Sequence, residues 1–69
     1  MMELIFVVEE DPTGGFTAAA VGPGIFTQGE TKEELEANIR EAIRCHFDKP
    51  EESPKIIRLH YVRDEVLAL

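Results

Sequence analysis

Short apolar runs alternate with polar, glycine-bearing breaks along the chain, and the period of each run separates strand from helix. Residues 2–9 carry Leu4, Phe6 and Val8 at one parity and Ile5 and Val7 at the other. Apolar residues at both parities predict a central strand covered on two faces. Glu10, Asp11, Pro12, Thr13, Gly14 and Gly15 then concentrate turn chemistry, because proline presets φ and glycine tolerates positive φ. A second strand is predicted over 16–21, forming a hairpin with the first. Its Ala18, Ala19 and Ala20 have weak strand preference, but the flanking glycines leave too few residues for a helix. Small side chains there suit a sheet over which a helix packs closely. Gly22, Pro23 and Gly24 break the strand, and a short third strand follows over 25–28, ended by Gly29.

The period then changes to that of a helix. Thr31 and Glu34 make a T-x-x-E capping box, in which each side chain satisfies the other's free backbone N–H. Glu33 and Glu34 fall in the first turn, where the macrodipole favours negative charge. Leu35, Ile39, Ala42, Ile43 and Phe47 recur at helical spacing as one apolar stripe. Lys32, Glu36, Arg40, Glu41 and Arg44 form the opposite face, and Pro50 closes the segment. After a polar linker over 49–54, residues 55–62 read as a last strand, with Ile57, Leu59 and Tyr61 on one face. Arg58 and His60 share its other face with Ile56 and Val62. Residues 63–69 end in an apolar group, Val66, Leu67 and Leu69. The fold class expected is α+β: a single βββαβ domain over 1–69, an antiparallel sheet packed by one helix.

Composition narrows the picture. A chain of 69 residues buries only about 60% of the surface its unfolded form exposes. Thin cores of this kind usually need a disulfide, a structural metal or a partner chain. Cys45 is the single cysteine, so no intrachain disulfide can form, and Cys45, His46 and His60 lack zinc-ligand spacing. Help from a second copy of the chain remains, and a homodimer or higher homo-oligomer is expected. No secretory signal or membrane span is read, and the free cysteine suits a reducing compartment, so a cytoplasmic location is expected. Seven basic against fourteen acidic residues give a formal charge of −7. That field repels nucleic acid and attracts a basic protein surface.

Candidate chemistry is sparse. The acids gather in turns and on the helix face, where solvated charge is the ordinary reading, and no strand interior aims carboxylates inward for a two-metal centre. Cys45 and His46 are adjacent on the helix, so their side chains diverge by about 100° and do not make a nucleophile pair. Neither G-x-x-x-x-G-K nor G-x-G-x-x-G occurs. The chain is read as no enzyme, with no cofactor and no metal. Glu9, Glu10 and Asp11 at the hairpin, with Gln28 and Glu30 beyond the third strand, are the candidate partner-binding residues. They set negative charge beside rigid strands.

The segment Gly14-Gly15-Phe16-Thr17-Ala18, followed by Pro23-Gly24-Ile25-Phe26-Thr27-Gln28-Gly29-Glu30-Thr31-Lys32-Glu33-Glu34-Leu35, resembles the HicB-like antitoxin family. That family has a glycine-aromatic hairpin start and a P-G-C-x-T-Q-G-D-T-x-E-E-A pattern opening its helix. Ile25 stands where a cysteine is frequent. The resemblance covers nearly the whole chain and implies a partial RNase H-like fold. It also implies masking of HicA, a small basic toxin that cleaves RNA. Many members continue into a DNA-binding domain, and this chain is similar to short stand-alone members without one. The rival expectation is an orphan oligomeric scaffold, or a regulatory module that binds a small molecule or another protein.

Overall fold

The computed structural model describes residues 2–69. In chain order it forms β1 (Glu3–Glu10), β2 (Phe16–Ala20), β3 (Phe26–Gly29), α1 (Lys32–His46), a single 3₁₀ turn at Pro50–Glu52, and β4 (Ile56–Val62). The four strands make one sheet in the order β3-β2-β1-β4, so β1 lies in its interior as its apolar content requires. β1 and β2 pair antiparallel through the hairpin, and β2 pairs antiparallel with β3.

β4 corrects the expectation of a wholly antiparallel sheet. It pairs parallel with β1, from Glu3 opposite Ile56 to Glu9 opposite Val62, and the sheet is mixed. The reason lies in α1. Its fifteen residues rise about 22 Å, close to the length of β1, and return the chain to the end of the sheet where β1 began. A strand starting there must run beside β1 in the same direction.

The core lies between α1 and one face of the sheet. Leu4, Phe6 and Val8 of β1, Ala18 of β2 and Ile25 are buried against Leu35, Ile39 and Ile43 of the helix. Ala42, Phe47, Ile57 and Leu59 pack half-buried around them. The helix starts where the capping residues place it, with the Glu34 N–H donating to Thr31 Oγ1 at 3.0 Å. The reciprocal bond from the Thr31 N–H to the Glu34 carboxylate is not formed, so half of the expected capping box is present. Of the three alanines of β2, Ala18 and Ala20 lie on the helix side as expected, and Ala19 lies on the opposite face. Ala18 faces the helix, and at Gly29 the approach is closer still: an added Cβ would stand 2.5 Å from the Leu35 nitrogen.

The second correction concerns the opposite face of the sheet. The pattern of β1 implied cover on both sides, but among the described residues no helix or strand lies over Ile5 and Val7. They sit half-buried beside exposed Ala19, Phe26 and Ile56. On the core side the cover is also incomplete. α1 lies over β2 and β3 and stops short of β4, leaving a groove between them.

Candidate functional site

The candidate partner-binding residues come from separate segments, and pairing gathers them at one end of the sheet. Glu9 lies opposite Thr17, which lies opposite Gln28, so Glu9 and Gln28 share the uncovered face across β2. Glu10 lies opposite Phe16, and Phe16 lies opposite Gly29, which brings Glu30 beside the hairpin. Glu9, Glu10, Asp11, Gln28 and Glu30 are all exposed.

The hairpin turn that carries Asp11 is held by its own hydrogen bonds. The Asp11 N–H donates to the Gly15 carbonyl and the Gly14 N–H to the Asp11 carbonyl, each at 2.9 Å. Gly14 and Gly15 take φ of 108° and 83°, conformations that L side chains rarely adopt. The Asp11 carboxylate accepts from the Thr13 hydroxyl and, at 2.9 Å, from the Thr13 N–H. Those bonds lower its pKa, the hydroxyl first and the backbone N–H second. Asp11 therefore shapes the turn as well as charging it.

Beside this turn a cleft of about 300 Å³ opens between the hairpin, the end of β3 and the first turns of α1. Asp11, Glu30 and Glu34 line it without any lysine or arginine, so its potential is negative. Two of its lining residues, Glu34 and Asn38, escape the reading of strands and turns because they belong to the helix. Asn38 donates from Nδ2 to the Gln28 carbonyl at 2.7 Å and ties α1 to β3. Their i, i+4 spacing is the signal that places both on one side of the helix.

The same end of the sheet carries an aromatic pair on the helix side. Phe16 and Tyr61 meet edge to face with centroids 6.4 Å apart, and Lys32 Nζ lies 5.4 Å from the centre of the Tyr61 ring. At the far end of α1, Cys45 is exposed, with Sγ 3.7 Å from Glu41 Oε1, and His46 stands edge-on to Phe47. His60 is exposed on the uncovered face opposite Val7. Among the described residues no three His, Cys, Asp or Glu side chains gather as metal ligands, and no helix is long and apolar enough to cross a membrane.

No family model and no solved structure matches the chain. Curated proteins do. Over 67 residues the chain is 39% identical to a UPF0150 protein of Thermotoga maritima, a match covering 97% of this chain and 93% of the relative. Over 53 residues it is 45% identical to a UPF0150 protein of Archaeoglobus fulgidus, covering 77% of each. With identity and coverage at this level along a shared short length, the chain belongs to the UPF0150 family.

Proposed function

We propose that this chain is a non-enzymatic, HicB-like protein-binding domain that masks a small basic RNA-cleaving toxin with its acidic sheet end. The observation that carries the proposal is the gathering of Glu9, Glu10, Asp11, Gln28 and Glu30 at one end of the sheet, where Asp11, Gln28 and Glu30 line a cleft with no basic lining residue. A rigid acidic end steers a basic partner during encounter and fixes its register on docking. The overall charge of −7 acts in the same direction. The T-Q-G-E-T-x-E-E run at Thr27–Glu34 supports the antitoxin class through its resemblance to HicB-like proteins.

The test pairs the chain with a HicA-type toxin and measures both association and RNA cleavage. Equimolar chain should suppress cleavage. Reversing Glu9, Glu10 and Glu30 to lysine together should slow association several-fold at low salt, with circular dichroism unchanged. Unaltered association in that variant removes the acidic end as the interface. Undiminished cleavage in excess chain removes the masking reading and leaves the oligomeric scaffold, which the exposed apolar residues after β4 favour.

A further inference from the structure

The segment after β4 does not join the body of the molecule. Val66 and Leu67 are 94% and 83% exposed, and Leu69 is fully exposed. Among the described residues, no hydrogen bond links 64–69 to any strand or to the helix; the Glu65 carboxylate pairs only with Arg63. The segment projects outward. The radius of gyration is 13.5 Å, against about 11 Å for a compact chain of this length, and the molecule extends 52 Å along its major axis but only 19 Å across.

A matching vacancy runs along β4. This strand is an edge of the sheet, so its outward N–H and C=O groups have no partner strand among the described residues. Beside it lies the groove left by α1, about 390 Å³, lined by Ile39, Ile57 and Leu59 with Glu36 and Arg40 at its rim. The two rim charges are of opposite sign, so the groove itself adds no net charge against an incoming acidic segment.

We propose that residues 64–69 of one copy add as a strand to the free edge of β4 in a second copy, with Leu67 and Leu69 filling the groove over Ile57 and Leu59. The strand period supports this fit. Residues 65, 67 and 69 point to one side, so both leucines enter the groove while Val66 and Ala68 face away. Main-chain bonds along the edge and two side chains in a groove are the elements of recognition by strand addition. Occupation by the chain's own segment needs a tight reversal directly after Val62. Of Arg63, Asp64 and Glu65 only Asp64 tolerates the positive φ that a type I′ hairpin turn requires at both central residues, and no non-glycine residue has positive φ among those described. A second copy needs no such turn.

The experiment uses the full chain in sedimentation velocity over a concentration series. Wild type should sediment as a dimer or larger. The double variant Leu67→Lys, Leu69→Lys should become monomeric, with a dissociation constant raised at least about 100-fold and an unchanged circular dichroism spectrum. That variant retains a vacant groove, so a fluorescent peptide of wild-type residues 62–69 should bind it, and the same peptide with both leucines replaced by lysine should not. A wild type that remains monomeric at about 0.5 mM overturns the proposal. So does a double variant that stays associated, or one that becomes monomeric yet fails to bind the wild-type peptide. Dissociation by Phe26→Lys but not by the leucine variant assigns the interface to the uncovered sheet face, which also overturns it.

Discussion

Gly29 shows how much of this fold depends on one missing side chain. It is buried where β3 ends, and a Cβ there would lie 2.5 Å from the Leu35 nitrogen and 2.7 Å from its Cα. Both are helix backbone, which cannot swing aside as a flexible side chain could. Gly29→Ala should therefore cost about 1–3 kcal/mol, the usual scale of overpacking. The variant should also loosen the Asn38 bond to the Gln28 carbonyl, because α1 must lift from β3. Gly24 makes the control, since a Cβ added there meets nothing within 4 Å. Chemical denaturation of Gly24→Ala and Gly29→Ala measures the difference, and equal midpoints would contradict the close approach.

At the scale of the element, the helix separates capping from packing. Thr31 makes one cap bond, and Thr31→Ala should cost about 1 kcal/mol. Leu35 is fully buried and Ile39 nearly so, and truncating either to alanine should cost about 2–5 kcal/mol. Equal, near-zero losses at all three positions, by urea unfolding, would mean that the helix presents another face to the sheet. This helix was the most legible element of the sequence, because a cap signal and a 3.6-residue stripe agree on it. The strands were legible too, each within a residue or two of its observed bounds, since glycine and proline mark their ends. The direction of β4 was not. The pattern within a strand is the same read parallel or antiparallel, and the direction follows instead from α1 carrying the chain back to the end of the sheet where β1 began. Nor was the uncovered face legible, because Ile5 and Val7 state that they avoid water without stating what covers them. The acidic end was readable as turns, whereas Glu34 and Asn38 entered the cleft only when the helix was laid across β3.

For the molecule as a whole, the first strand is joined to the last by an ion pair as well as by the sheet. Arg58 donates to the Glu3 carboxylate through Nη2 at 3.0 Å and Nε at 3.2 Å. This hydrogen bonding, with the guanidinium charge adding to it, holds the Glu3 pKa below its usual value against slight desolvation. A carboxylate lowered on folding stabilises fully above its unfolded value, about 4.3, and loses that contribution as pH falls through the lowered folded value. Glu3→Gln should therefore depress the thermal midpoint at neutral pH and match wild type at about pH 2–3. The pair is exposed, so the gap should narrow in about 1 M salt. A gap that persists unchanged at the acidic end would assign the role of Glu3 to packing.

The parallel pairing of β1 with β4 also bears on how the chain comes into being. Strands β1, β2 and β3 and the helix leave the ribosome in order, and each can dock on what preceded it. The far edge of β1 cannot be filled until Ile56–Val62 has been synthesised, because Glu3 pairs with Ile56 across almost the whole chain. Until then the nascent domain displays the open edge of β1, beside the core residues Leu4, Phe6 and Val8. Loop closure over such a span is slow relative to hairpin and helix formation, and unpaired edges of this kind are where growing chains associate wrongly. Completion of the sheet is thus a late event in biosynthesis. Arrest of translation before β4 should yield a chain far more dependent on chaperones than the finished domain.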